Sequence, residues 1–432
     1  MTGAEPVKLL PADLDLLLEL LELPTVGLLE AAEGTPPPRL WEAQHRYAEA
    51  AAALGFSVVH HAAAPASVLE LPGVPVTVRE AAARVPGFLA EQPSMVLRLG
   101  PGLPRERTVM FNVHVDTVDG FWEPSFHAGR FEGRGSIDAK GPAVALLAGV
   151  REAIATVPEL GESTGVLIQL VSGEEGGAMG VFGTRPLVEA GHTGRLNVFC
   201  EPSRNLAVPR STAAATARVT VQGTDSIDDH PGGGHNATVL LGHLAAHLAG
   251  TLCGRVPGTR VCVAGLHTGE LHNKVYGSGK LLLNLAYPTT ESGRLLTGAL
   301  EEELAAGLRS FAERFAEVPG FGLTAAEAER VTRLEWLKRG LPALDGHDPW
   351  AEALLRSAGV AAAPPEAPAC TCDAIWMHGV EGAHTVVLGP GDLDANGAHA
   401  AGEHADLTDL EEFAGSVAAL LTRFAHATNG QP

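Results

Sequence analysis

The sequence predicts an α/β protein in which a mainly parallel sheet carries helices on both faces and a smaller α+β module is inserted. Its 432 residues are too many for one typical domain. Strand-like and helix-like runs alternate through the first half, which is typical of a parallel sheet covered by helices. This alternation stops after Arg210 and resumes in the last part of the chain. We therefore assign residues 1–211 and 339–432 to the first domain and residues 212–338 to the inserted module.

The chain begins with two predicted helices. Leucine recurs at helical spacing from Leu10 to Leu23, where Pro24 ends the run, and residues 40–54 have one apolar face. A short strand is expected at 56–60. Residues 62–93 are rich in proline and alanine and predict no regular element.

The alternation becomes clear after this stretch. Apolar runs predict strands at 108–113, 165–171 and 196–200, and an apolar helix is predicted at 142–156. Ligands collect at the carboxyl ends of the strands in such a sheet. Residues that follow these strands are therefore candidates for a common site.

The inserted module predicts two helices on a small antiparallel sheet. Its expected strands are 217–222, 280–286 and 330–337, and its expected helices are 238–249 and 295–315. The first domain is then completed by the helix 350–357, the strand 385–388 and the helix 407–426.

Composition restricts the class of protein. The formal net charge of −21, with 51 acidic and 30 basic residues, leaves no basic excess to neutralise a nucleic acid backbone. No apolar run approaches the length of a membrane span, and residues 1–10 do not form a targeting signal. We therefore expect a cytoplasmic protein that acts on a small molecule, with neither nucleic acid nor membrane as a partner.

The five cysteines are few and scattered, which argues against a disulfide framework. Cys370 and Cys372 could form a redox or soft-metal pair. The chain has no second pair of this kind, so small buried residues are the favoured interpretation.

Residues of metal-binding type follow the predicted strands. His114 and Asp116 come after the first strand, Glu174 and Glu175 after the second, and Glu201 after the third. Zinc binds neutral imidazole and carboxylate oxygen, and a catalytic zinc site keeps one position open for water. The pattern therefore predicts the metal site of a hydrolase.

Five separated motifs occur in one order along the chain. They are MFNVHVDTVDG at 110–120, GRGSIDAKGP at 133–142, VSGEEGG at 171–177, FCEPS at 199–203 and LGPGDLDANGAH at 388–399. With these motifs the chain resembles the di-zinc metallopeptidases and deacylases, which include acetylornithine deacetylase, succinyl-diaminopimelate desuccinylase, aminoacylase and glutamate carboxypeptidase. The resemblance spans nearly the whole chain, and it makes the first domain the catalytic one.

The resemblance implies a ligand set for two Zn²⁺ ions per subunit. Asp138 is expected to bridge the ions, with His114 and Glu201 completing one site and Glu175 and His399 the other. Co²⁺ or Mn²⁺ would suit the same nitrogen and oxygen ligands.

The resemblance also assigns catalytic roles and an assembly. Glu174 is expected to act as general base towards a zinc-activated water, and Asp116 to accept the second imidazole N–H of His114. The family pattern places the ligand histidine shortly after a Gly-Pro-Gly turn and four residues before a glutamate, which implies His399 in preference to His404. The family implies a homodimer formed through the inserted module.

The inserted module departs from the family at two positions. Ile227 stands where the family has a lid histidine, and His230 is the nearest candidate to replace it. Asn273 of the substrate-binding segment is retained, but Ala286 replaces the arginine that commonly grips the substrate carboxylate. Tyr276 also replaces a proline.

These features predict a metal-dependent amidohydrolase that cleaves an amide of a small N-acylated amino acid or a related amine. A peptidase for short peptides is the runner-up among enzymes; Glu201 favours the deacylase and carboxypeptidase side, because aminopeptidase relatives usually have aspartate there. The altered module also allows a specialised enzyme for a substrate without the usual carboxylate, or one that forms amides. A non-catalytic metal-binding homologue is a further alternative, against which the retained Glu174 argues.

Overall fold

A computed structural model describes residues 6–367 and 369–429. The chain divides into two compact units, of which one is the continuous segment Thr212–Ala343 and the other contains the rest of the described chain. The sequence placed the end of the inserted module at residue 338, where its last strand ends. The compact unit continues for five residues beyond that strand.

The helices have the following bounds. They are α1 (Pro11–Glu22), α2 (Leu40–Ala52), α3 (Val76–Arg84), α4 (Lys140–Thr156), α5 (Thr184–Glu189), α6 (Ala237–Leu252), α7 (Thr290–Phe315), α8 (Gly322–Val331), α9 (Pro349–Ser357) and α10 (Leu407–Asn429). Short 3₁₀ helices occur at Ala66–Glu70, Arg105–Arg107, Pro231–Gly233 and Asp373–Met377.

The strands follow the same chain order. They are β1 (Phe56–Ala63), β2 (Pro93–Leu99), β3 (Thr108–His114), β4 (Ser125–His127), β5 (Arg130–Glu132), β6 (Gly165–Val171), β7 (Leu196–Phe199), β8 (Arg210–Ser211), β9 (Ala213–Gln222), β10 (Ser226–Ile227), β11 (Arg260–His267), β12 (Lys274–Val275), β13 (Ser278–Tyr287), β14 (Thr332–Lys338), β15 (Leu344–Asp345), β16 (His384–Val387) and β17 (His404–Asp406).

The first unit is built on a six-stranded sheet with the order β1-β2-β6-β3-β7-β16. Four neighbouring strands, β6, β3, β7 and β16, are parallel, and β2 and β1 extend the sheet in antiparallel pairing. Every residue of β3 is buried, as expected for a central strand covered on both faces. The predicted α/β fold class is confirmed.

Helices α4 and α10 pack closely on one face of this sheet. Gly149 of α4 allows the close approach, because a Cβ at this position would lie 2.5 Å from the Ala414 carbonyl oxygen of α10. The main apolar core lies on this side and includes Leu146, Phe413 and Leu421.

The inserted unit contains a four-stranded antiparallel sheet with the order β11-β13-β9-β14 and three helices, α6, α7 and α8. The prediction of two helices was wrong because the run 322–331, rich in alanine and glutamate, continues as a helix up to Val331. Strand β11 was not predicted. It lies at the sheet edge and is largely exposed, so it lacks the regular alternation of buried and exposed side chains.

Residues 62–93, for which the sequence predicted no element, contain α3 and a 3₁₀ turn. The five cysteines form no disulfide, and Cys372 is buried while Cys370 is partly exposed. In the described part of the chain, none of the helices has both the length and the apolarity that a membrane crossing requires.

Candidate metal centre

The carboxyl ends of three parallel strands bring most of the predicted ligands together. His114 is the last residue of β3, which lies between β6 and β7. Glu174 and Glu175 follow β6, and Glu201 follows β7. Parallel neighbours end at the same sheet edge, so residues that are far apart in the sequence meet there.

Asp138 connects two histidines with its two carboxylate oxygens. The Nε2 atom of His114 lies 2.8 Å from Oδ1 of Asp138 and 3.7 Å from a Glu201 oxygen. The Nε2 atom of His399 lies 3.1 Å from Oδ2 of Asp138 and 3.1 Å from Oε1 of Glu175. Each oxygen of Asp138 thus faces a different imidazole.

The five side chains form two overlapping groups of potential ligand atoms, each within 4.8 Å. One group contains His114, Asp138 and Glu201, and the other contains Asp138, Glu175 and His399. The donors are imidazole nitrogen and carboxylate oxygen, which zinc and similar divalent ions bind. The residues therefore fit a pair of metal ions with Asp138 shared between them.

Burial makes the acidic residues difficult to ionise. Burial and the neighbouring carboxylates raise the pKa of Glu174 well above its ordinary value, and burial does the same for Glu201. Burial also raises the pKa of Glu175 to about 7. These clustered acidic side chains can ionise together only if positive charge lies nearby.

In the metal-free chain the histidines supply that positive charge. Hydrogen bonds with Asp138 and Glu175 raise the pKa of His399 to about 10. Burial acts to lower the pKa of His114, but Glu201 and Asp138 together raise it well above the ordinary value. Burial acts to raise the pKa of Asp138, but its hydrogen bonds with the two imidazoles hold it below the ordinary value. A bound cation would replace these protons.

The hydrogen bond predicted between the Asp116 carboxylate and the His114 imidazole is not made. Nδ1 of His114 donates instead to the main-chain carbonyl of Asp116 at 2.9 Å, while the nearer carboxylate oxygen of Asp116 lies 3.7 Å away. The Asp116 carboxylate accepts a hydrogen bond from the Glu175 main-chain N–H at 3.1 Å. The carbonyl therefore orients the imidazole, and the carboxylate orients the loop that carries the two glutamates.

Glu174 belongs to a third group of potential ligand atoms, with His114 and Glu175, and to neither of the two groups that share Asp138. Its carboxylate is within 4.8 Å of ligand atoms of His114 and Glu175, and the side chain is half-buried. This position suits a group that handles a proton beside the metals.

Glu403 and Arg134 support Asp138, a role that the sequence did not reveal. Oε1 of Glu403 accepts hydrogen bonds from the main-chain N–H groups of Ile137 and Asp138, at 3.0 and 3.2 Å. Its other oxygen pairs with the Arg134 guanidinium at 2.7 Å, and both side chains are buried. The only signal in the sequence was the spacing of four residues between His399 and Glu403.

Asp373 is a second buried acid that the sequence analysis missed. The Thr184 hydroxyl donates to Oδ2 of Asp373 at 2.6 Å, and Asn112 donates to that hydroxyl at 3.0 Å. Burial raises the pKa of Asp373 to about 7. Three residues later, the Trp376 indole donates to the Met179 carbonyl. The segment 373–377 therefore holds the loop between β6 and α5, which carries Glu174 and Glu175.

The predicted lid residues lie in the inserted unit. His230 and Asn273 are both exposed, and His230 belongs to none of the ligand groups formed by the described residues. Ile227 is 56% exposed and pairs with Lys274 in the β10–β12 ladder. The Tyr276 hydroxyl accepts main-chain hydrogen bonds from residues 270 and 271, so it shapes the loop before Asn273.

A comparison with protein families identifies the chain. The model for the family described as peptidase family M20/M25/M40 matches residues 110–423, which include all five proposed metal ligands. The chain belongs to this family. The resemblance found in the sequence is thereby confirmed, and the protein is a metal-dependent hydrolase of peptide or amide bonds.

Solved structures of peptidases share the fold over nearly the full chain. A tripeptidase from Staphylococcus aureus superposes with a TM-score of 0.69 at 14% identity, covering 96% of this chain and 98% of its own. Aminopeptidase PepT from Bacillus cereus gives 0.66 at 15% identity, with the same coverage. The YXEP protein of Bacillus subtilis, described as a dinuclear metal-binding peptidase, gives 0.61 at 10% identity over 95% of this chain and 97% of its own. No curated protein sequence matches the chain.

Proposed function

We propose that this M20-family protein is an amidohydrolase that cleaves an amide of a small N-acylated amino acid or a related amine. We further propose two Zn²⁺ ions, bound by His114, Asp138 and Glu201 and by Asp138, Glu175 and His399. The observation that carries this proposal is the arrangement of Asp138, whose two oxygens face different histidines, with Glu174 beside them. The dinuclear metal site described for the YXEP protein supports the number of ions.

The chain supplies its own acid–base group for the reaction. When bound, the metal ions supply Lewis acidity at the scissile carbonyl. Glu174 then takes a proton from the attacking water and transfers it to the leaving amine nitrogen. The carboxylate of Glu174 lies beside ligand atoms of His114 and Glu175, a position from which one group can make both proton transfers.

The altered inserted unit favours a second candidate within the same chemistry. Ala286 lies on β13 and has no group that could grip a carboxylate, and Ile227 offers an exposed apolar side chain in place of a lid histidine. Both substitutions favour a substrate without the usual α-carboxylate. Amide formation by the same groups is the reverse of this reaction.

The proposal includes a cytoplasmic homodimer formed through the inserted unit. Edge strand β11 supports this assembly, since it exposes Val263 and Leu266 to 37% and 38%. An exposed apolar edge strand is a template for pairing with another chain.

A substrate screen of the zinc-loaded protein tests the proposed function. The panel contains N-acyl amino acids, dipeptides and amides without a carboxylate, each also given to the Glu174→Gln variant. We expect hydrolysis by the wild type and a loss of about 10²–10⁴-fold in the variant with unchanged metal content. Glu162→Gln, at an exposed loop position, is the matched control and should retain full activity.

The outcomes separate the alternatives. Turnover of carboxylate-free amides alone would select the altered-substrate enzyme, and turnover of ordinary N-acyl amino acids would select the deacylase. Hydrolysis that persists unchanged in Glu174→Gln would contradict the role of Glu174. A protein that binds metal but hydrolyses nothing in the panel would favour the non-catalytic homologue.

A further inference from the structure

A cavity of about 450 Å³ lies in the first unit, next to chain segments that carry metal ligands. Pro202 and Ser203, which line it, directly follow Glu201. On another side, the lining residues 392–394 lie on the loop that leads to His399. Consecutive Cα atoms are about 3.8 Å apart, so the cavity begins within one or two residues of Glu201.

The interior of this cavity is largely apolar. Its lining residues include Leu206, Val208, Ala363, Val387 and Leu393, together with Cys370. Ligand cavities in proteins have volumes of about 300–1,000 Å³ and mostly apolar linings. The cavity therefore has the size and surface of a site for a small apolar group.

Main-chain hydrogen bonds hold the walls in place. The N–H groups of Arg204 and Asn205 donate to the carbonyls of Gly391 and Gly389, at 2.6 and 2.8 Å. Val208 and Val387 exchange two hydrogen bonds, at 2.8 and 2.9 Å. A cavity with fixed walls is preformed, so filling it requires little ordering of the protein.

The charges around the cavity disfavour an anion. Its one lining cation among the described residues, Arg204, pairs with Asp392 at 2.9 Å. Asp394 adds a further negative charge at the rim. Arg210, on the neighbouring strand, donates its guanidinium N–H groups to the carbonyls of Pro364 and Ala367. A carboxylate placed here would lack a free cation to bind it.

We propose that this cavity binds an uncharged apolar substituent of the substrate, such as an aliphatic chain or an aromatic ring. The inference rests on the proposed amide hydrolysis and names its substrate class: amides with a sizeable apolar group next to the scissile bond. The substituent belongs to either the acyl side or the amine side of the amide, and the test distinguishes the two.

Two substrate series test this cavity in the zinc-loaded enzyme. One lengthens the acyl chain from acetyl to octanoyl on a fixed amine, and the other lengthens an alkyl amine on a fixed acetyl group. In one series kcat/KM should rise about three- to fourfold per methylene until the cavity is filled. The series that responds identifies the side of the amide that the cavity binds.

Two variants connect this preference to the cavity. Leu206→Trp and Ala363→Phe fill it and should lower kcat/KM for the longest substrate at least tenfold, with the acetyl substrate within about threefold. Val58→Trp, at an exposed position of β1, is the control and should behave as the wild type. Equal losses for long and short substrates, or no response to chain length in either series, would overturn the proposal.

A binding measurement separates this inference from the proposed hydrolysis. Acetohydroxamic and octanohydroxamic acids bind zinc and need no turnover, so calorimetry with the zinc-loaded protein measures the acyl-side preference even without hydrolysis. Octanohydroxamic acid should bind at least tenfold more tightly, and Leu206→Trp should remove this difference. Equal binding of the two acids, together with no amine-side preference in hydrolysis, excludes the cavity as a substrate site. Tight, length-dependent binding without hydrolysis of any amide would overturn the hydrolytic proposal alone.

Discussion

Asp138 is the residue on which the proposed metal centre depends. Its two oxygens face His114 and His399, and its main-chain N–H is held by Glu403. A carboxylate that serves two cations must keep both oxygens in place at once. The hydrogen bond that Glu403 accepts from the Asp138 main chain is therefore as important for metal binding as the ligands themselves.

Replacing Glu403 tests this support. Glu403→Leu removes the acceptor for the N–H groups of Ile137 and Asp138 and leaves the buried Arg134 without its partner. We expect the free energy of unfolding to fall by about 3–5 kcal/mol and metal affinity to fall about 10–100-fold. Glu403→Gln keeps an acceptor oxygen for the two amides, so its metal affinity should fall less. Denaturant unfolding and metal titration measure the two effects, and equal metal affinities in both variants would contradict the positioning role.

Metal binding should release protons and weaken as the pH falls. The pKa of His399 is raised to about 10 and that of His114 well above its ordinary value, so both imidazoles hold protons at pH 7. A metal ion must displace them, and its apparent affinity should fall about tenfold per pH unit for each proton released. Calorimetry in buffers of different ionisation enthalpy counts these protons.

The same measurement tests the choice of ligand histidine. His399→Gln should remove one of the released protons and weaken binding at one of the two sites. His404→Gln changes the neighbouring histidine, whose ring contacts the Gly402 carbonyl, and should leave the count unchanged. The reverse result would assign the ligand role to His404.

Strand β1 and helix α2 pack against each other through aromatic rings, one of which belongs to His61. Because His61 can titrate, the stability that this packing contributes depends on pH. The His61 ring of β1 lies 4.6 Å from the Trp41 ring and 4.9 Å from the His45 ring. Burial, with His45 and His60 nearby, lowers the pKa of His61 to about 4. Between pH 6.5 and 4 the unfolded chain thus binds more protons than the folded one, and stability falls as the pH falls through this window.

Replacing His61 with phenylalanine should remove this dependence. The apolar ring keeps the packing against Trp41 and does not titrate. The free energy of unfolding of His61→Phe minus that of the wild type should therefore be larger at pH 5 than at pH 7.5. Urea unfolding at pH 5 and pH 7.5 measures this difference. The acidic residues of the candidate metal centre are the same in both proteins, so their contributions cancel in the comparison. His127→Phe, at an exposed position of β4, is the control. If the free energies of unfolding of His61→Phe and the wild type differ by the same amount at pH 5 and pH 7.5, His61 does not titrate in this window.

At the scale of the molecule, the proposed dimer depends on the edge of one small sheet. Val263 on β11 is exposed, and a lysine there opposes edge-to-edge pairing by its charge. We expect the wild type to elute as a dimer of 44.8 kDa chains and Val263→Lys as a monomer. Size-exclusion chromatography with light scattering measures the mass. Val58→Lys on edge strand β1 is the matched control and should remain dimeric, and a monomeric wild type would contradict the proposal.

Much of the architecture followed from local patterns in the chain. Strand β6 was predicted with its observed bounds, and β3 and β7 within one residue, because buried parallel strands are continuous apolar runs between turns. The edge strand β11 and the helix α8 were not predicted from the sequence. Their side chains are partly exposed, so periodicity alone does not distinguish them from loops.

By itself, the sequence determined the fold class and the family, and it predicted the types of the residues at the candidate metal centre. These features depend on local apolar periodicity and on motifs within short segments. Only the tertiary structure decided which partner each side chain has: the main-chain carbonyl of Asp116 on His114, Glu403 behind Asp138, and the apolar cavity beside Glu201. The contact between Ile137 and Glu403, for example, joins residues 266 positions apart. They depend on how strands and loops pack against one another, which no spacing along the chain encodes.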